Sequence, residues 1–141
     1  MSGKIRIKLN RLPELKGDLR VKAGQAVRKA ALDIEAEAKA HAPVDTGALK
    51  NSIYTASAGK SDYSAAASAA HSANPKAQLF PDKGKAGTLR AVVAVGVSYG
   101  ALIEFGGVKR AGTPFMYPAA QKVLPEFEKA IQQLLSKLGQ S

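Results

Sequence analysis

Two histidines, a glycine–lysine–serine triplet and two isolated carboxylates are the residues of this 141-residue chain best suited to chemistry. His41 stands just before Ala42-Pro43, at the end of a helical pattern. An imidazolium is favoured there by the negative end of the helix dipole, so capping is the expected role. His71 lies in an Ala/Ser stretch with no evident partner. Neither has a second histidine at ligand spacing, and the chain has no cysteine, so no metal site is expected. Ala58-Gly59-Lys60-Ser61 matches the end of a phosphate-binding loop. The first glycine of G-x-x-x-x-G-K-[ST] would have to stand where Tyr54 is, so no nucleotide cofactor is expected. Glu104 interrupts an otherwise apolar run, and Asp45 sits in a turn. Paired carboxylates can perform acid–base work, but nothing in the sequence brings these two together. A cap for Asp45 and a backbone or arginine partner for Glu104 are the simpler roles. No nucleophile–base set is visible, and no enzymatic activity is expected.

The elements that must position these residues follow from periodicity. Leu15, Leu19, Ala23, Val27, Ala30, Ile34 and Ala38 recur at helical spacing, which predicts a long helix starting at Pro13 or Asp18. Its alanines allow close packing. Pro43 stops it, Gly47 is free to take positive φ, and Asp45 caps a short turn through Leu49. Ahead of it, residues 4–9 alternate Lys/Arg with Ile/Leu, the pattern of a half-buried edge strand. A second strand is expected over 51–57. The β-branched run 89–97 predicts a central strand buried on both faces. After the turn Ser98-Tyr99-Gly100, residues 101–105 are expected as a fourth strand in a hairpin with the third. The last helix opens at Pro118, carries Val123, Leu124, Phe127, Ile131, Leu134, Leu135 and Leu138 on one stripe, and is kinked or restarted at Pro125. Phe105, Phe115, Met116 and Tyr117 read as core or subunit-contact residues.

Between strands two and three the chain changes character. Residues 56–87 are mostly Ala, Ser, Gly, Lys and Pro. With no large apolar run to hold it, this stretch is expected as an arm that orders only against a partner. Deleting 61–85 is then expected to impair assembly while leaving the fold intact. The fold class is α+β. It has an antiparallel sheet of about four strands, a long N-terminal and a C-terminal helix on one face, and the arm at 56–88. Residues 1–141 read as a single domain.

The net charge is +10, which points to an acidic partner surface, or to proximity to nucleic acid or anionic lipid. Lys60, Lys76, Lys83, Lys85, Lys109 and Arg110 are the candidate residues facing DNA or a partner. No recognition helix, zinc finger or aromatic–basic RNA motif accompanies the charge, so free nucleic-acid binding rests on charge alone. No membrane span and no signal peptide are expected.

The order of short motifs carries a resemblance. Ala42-Pro43-Val44-Asp45-Thr46-Gly47-Ala48-Leu49 comes first, then Asn51-Ser52-Ile53. Val95-Gly96-Val97, Tyr99 and Glu104-Phe105-Gly106 follow, and Pro114-Phe115-Met116-Tyr117-Pro118-Ala119 closes the series. This resembles the gene-product-ten-type tail-component family of long-tailed bacteriophages, from residue 4 to about 138 except the arm. The resemblance implies a non-enzymatic virion part at the head–tail junction, made in the bacterial cytoplasm. It implies copies assembled in a sixfold ring, next to the tail tube protein and the head connector, with genomic DNA passing through. Pro43, Asp45, Thr46, Gly47, Tyr99, Glu104, Phe105, Gly106, Pro114, Phe115 and Pro118 are then structural or contact positions.

Overall fold

The computed structural model describes residues 5–8, 17–44, 47–84, 87 and 89–139. Asp45, Thr46 and Lys85, and the helix start at Pro13, lie outside them. Strand β1 (Ile5–Lys8) is followed by helix α1 (Gly17–His41) and the single turn α2 (Ala48–Asn51). Next come β2 (Ile53–Ser57), β3 (Lys60–Ser61), α3 (Tyr63–Ala73) and β4 (Arg90–Val95). Helix α4 (Gly100–Phe105), the small pair β5 (Gly106–Gly107) and β6 (Arg110–Ala111), and helix α5 (Met116–Gly139) complete the chain. The sheet order is β1-β4-β2-β3, antiparallel throughout. The α+β class and the central place of the β-branched run are as expected.

Alternation along the strands divides the core between two faces. Ile53, Ala91, Val93 and Val95 join Val27, Ala30, Ala31, Ile34 and Ala38 of α1. Val27 and Ile34 supply the bulk of this helix face, and Ala30, Ala31 and Ala38 between them keep the rest of it small. Helix α5 packs along α1 and, with Phe115 just ahead of it, adds Met116, Ala119, Val123 and Phe127 to the same core. It runs as one helix through Pro125, so no restart occurs there. Leu135 stays exposed, off the expected apolar stripe.

The opposite face corrects the expectation of an arm. Tyr54, Val92 and Ala94 point there and are covered by Ala66 and Tyr63 of α3. The Tyr54 and Tyr63 rings meet edge to face at 5.3 Å. The Tyr63 hydroxyl donates to the Phe80 carbonyl (2.7 Å), Phe80 N–H donates to the Gly96 carbonyl (2.7 Å), and Leu79 bridges to Val97. An alanine helix needs no large side chains of its own when two tyrosines supply the bulk. Deleting 61–85 would therefore uncover Tyr54, Val92 and Ala94 rather than leave the fold intact. His71 also gains a partner, its Nε2 lying 3.1 Å from the Ala77 carbonyl oxygen.

Tyr54 gives this face a pH signature. Burial raises its phenol above the ordinary value, opposed by the Lys83 N–H that its oxygen accepts at 3.0 Å. Its contribution to stability is fully present below the unfolded value of about 10. It is lost as pH rises through the higher folded value. Denaturant unfolding between about pH 8 and 11 is expected to show a decline that Tyr54→Phe reduces. An unchanged decline in the variant would assign it to other groups.

Candidate functional site

The second correction locates the site. Residues 101–105 form not a strand but most of α4. The buried positions are Gly100, Ile103 and Glu104, the i, i+3, i+4 spacing of a helix rather than the alternation of a strand. A Cβ on Gly100 would come within 2.6 Å of Val95 Cγ1, so the turn after β4 sits directly on the strand end. The expected hairpin with β4 is replaced by β1 and β2 as its neighbours.

Placed on this helix turn, the Glu104 carboxylate is buried and aimed at the start of α5. Oε1 accepts the N–H groups of Phe115 (3.0 Å) and Met116 (2.8 Å), and Oε2 accepts that of Tyr117 (3.2 Å). These are among the N–H groups a helix cannot satisfy internally, and the negative charge lies at the positive end of the dipole. Of the two partners expected for Glu104, backbone is the one found. The connection is held equally closely. Thr113 N–H donates to the Ile103 carbonyl at 2.7 Å, and a Cβ on Gly112 would lie 2.7 Å from the Glu104 carbonyl oxygen. Glu104-Phe105-Gly106 and Pro114-Phe115-Met116 are thus two halves of one clamp. Gly106 caps α4 at φ 79°, where a side chain would be strained.

The clamp divides the neighbouring aromatic residues. Phe115 and Met116 are buried in the core. Phe105 is 58% exposed, Tyr117 63% and Val108, at the turn of β5–β6, is fully exposed. Leu102 is half exposed and borders Gly107, where an added Cβ would meet its Cδ1 at 2.9 Å. Leu102, Phe105, Val108 and Tyr117 therefore present apolar surface from three elements joined through Glu104. Lys109 is exposed beside Val108, and Arg110 lies on β6. Pro114 is exposed, Pro118 is half-buried in the first turn of α5, and Tyr99 is partly exposed at the start of α4.

The other expected residues lie elsewhere. Pro43 follows the end of α1, and Gly47 takes φ 91° ahead of α2. Lys60 opens β3, where Ala58-Gly59 is a hairpin turn with Ser57 opposite Lys60, not a phosphate loop. Lys83 is exposed beside Phe80, its Nζ 5.9 Å from the ring centroid, and Lys76 is exposed beyond α3. His41 keeps its capping position, with Nδ1 2.8 Å from the Glu37 carbonyl oxygen. A polar row on β2 escaped sequence reasoning. Thr55 donates to Glu35 Oε1 at 2.9 Å, and Arg28 donates to Ser57. A Thr and a Ser in a strand carry no periodic signal of a helix partner.

A family model described as "Bacteriophage HK97-gp10, putative tail-component" matches residues 6–106. The chain belongs to this family. No curated protein and no solved structure matches it. The match begins at Arg6 and ends at Gly106, ahead of Pro114 to Ala119. The matched span therefore carries the Glu104 half of the clamp but not the helix end it holds. Family membership points to a non-enzymatic role among other virion proteins. No helix among the described residues is long and apolar enough to cross a membrane.

Proposed function

We propose that this tail component is a ring subunit at the head–tail junction, joining the tail tube to the head connector. The surface formed by Leu102, Phe105, Val108 and Tyr117 would meet a neighbouring copy, six being the expected number. The observation that carries this is the exposure of Leu102, Phe105 and Val108 within one short stretch, with Leu102 bordering Gly107, the residue before Val108. Single exposed apolar residues are ordinary, whereas a clustered set marks an interaction surface. Glu104 holds that surface to α5, so a copy would meet a preformed contact rather than a loose loop. Tail completion, tail termination and a neck layer all fit such a part. Electron microscopy of purified particles tests the proposal by locating this chain along the axis. A ring between head and tail is expected; density only in the capsid shell or at the distal tail tip would refute it.

Exposed Lys60, Lys76, Lys83 and Lys109 support a second reading, sequence-independent contact with DNA. A channel that conducts DNA should bind it weakly, so salt titration with duplex DNA separates the two. Micromolar or tighter binding by the isolated subunit at physiological salt would favour a DNA-binding protein over a ring part.

A further inference from the structure

Between α1 and α5 lies an open groove of about 130 Å³. Ala30 of α1 with Phe127 and Ala130 of α5 are among its apolar walls, and Lys29, Asp33 and Glu126 add charge. Lys29 is held by Asp33 at 2.7 Å, and Lys122, four residues before Glu126 on α5, is held by Glu37 at 3.0 Å. Glu126 is exposed and enters none of the ion pairs among the described residues. Two carboxylates against one ammonium give the groove lining a negative balance, a local exception in a chain of net charge +10. The same chain carries the complement. Gly107 pairs with Arg110, so Val108 and Lys109 are the turn residues at the tip of the β5–β6 hairpin. Val108 is fully exposed and Lys109 is exposed. The tip thus offers one aliphatic side chain followed by a cation.

We propose that the β5–β6 tip of one copy docks in the α1–α5 groove of the next, with Val108 against the apolar walls and Lys109 toward Glu126. This rests on the ring reading and names the surface that receives the tip. A ring joins copies through unlike patches, so each subunit must carry both halves of the contact. Size agrees. A cavity of about 150 Å³ takes a benzene ring, and the three carbons of a valine side chain need less. Charge agrees as well, since a cation set toward an unpaired carboxylate fixes the register of two apolar surfaces. Two tips meeting each other would instead oppose Lys109 to its own copy.

The chain has no cysteine, so introduced cysteines report the contact without background. Val108→Cys keeps a small apolar side chain at the tip, and Ala130→Cys places its partner in the groove wall. Particles assembled with the double variant and oxidised are expected to give a ladder of linked copies, and each single variant none. Charge reversal tests the same contact without chemistry. Glu126→Lys, at an exposed position, should lower the yield of infectious particles at least about tenfold. Adding Lys109→Glu to that chain should restore the yield to within roughly threefold of the parent. Electron microscopy of the same particles reports the ring independently. A ring without a ladder, links in Val108→Cys alone, or no rescue by Lys109→Glu would each overturn the docking and leave the ring standing. Absence of a ring would overturn both.

Discussion

Replacing Glu104 with alanine is expected to lower the unfolding free energy by about 3–5 kcal/mol, because three helix-end donors lose their acceptor together. Phe115 and Met116, two of the three, are buried, so water cannot readily take the place of the carboxylate. Each buried donor left unpaired costs about 1–3 kcal/mol, and partial hydration near exposed Tyr117 keeps the sum below the maximum. For a chain of this size that corresponds to a fall in Tm of roughly 10–15 °C. Glu104→Gln retains one carbonyl oxygen for Phe115 and Met116 but turns an amide toward Tyr117 N–H. Its cost should be about 1–2 kcal/mol. Calorimetry or denaturant unfolding of both variants measures this. A Glu104→Ala protein within about 0.5 kcal/mol of the parent would mean that the clamp does not hold α5.

Phe105→Asp and Val108→Asp are expected to behave in the opposite way. Both side chains are exposed in the single chain, so its stability should change by no more than about 0.5 kcal/mol. In the proposed ring each would place a charge where apolar side chains meet. The loss expected at a central contact is about 2 kcal/mol or more, roughly thirtyfold in affinity at each interface. A closed ring repeats that loss at every contact, so assembly should fail well before folding does. Sedimentation of the purified chain and complementation of particles lacking it measure the effect. Normal infectivity with both aspartates present would move the subunit contact elsewhere on the molecule. Glu104→Ala and these substitutions also separate cleanly: the first lowers stability, the others leave it unchanged.

The structure sharpens what local pattern can and cannot specify. The stripe Ala23, Val27, Ala30, Ile34 and Ala38 is buried as its spacing requires. The run over 89–97 supplies the central strand with both faces covered, because unbroken β-branched residues leave no face for solvent. Residues 101–105 carry an apolar pattern that fits a strand, yet they form most of α4. Five residues are too few for period alone to separate helix from strand. Tertiary contact decided it, through the close seat of Gly100 on Val95 and the reach of Glu104 to α5. The stretch 56–87 has the local pattern of an arm because its own residues lack bulk, yet its helix α3 packs on the sheet. The bulk that holds it comes from Tyr54 on another strand, and from Tyr63, whose role depends on that neighbour.

The sequence by itself determined the α+β class, the long helix and its stop at Pro43, the central strand and the motifs that carry the family. These depend on local period, turn chemistry and residue order, which are properties of neighbours along the chain. Only the tertiary structure decided that Glu104 is a helix clamp, that Phe105 and Val108 face outward while Phe115 faces inward, and that Asp33 and Glu126 border one groove. Each of those depends on which distant segments meet. A carboxylate, an aromatic ring or an arginine has the same local signature whether its partner is water, a helix end or another chain.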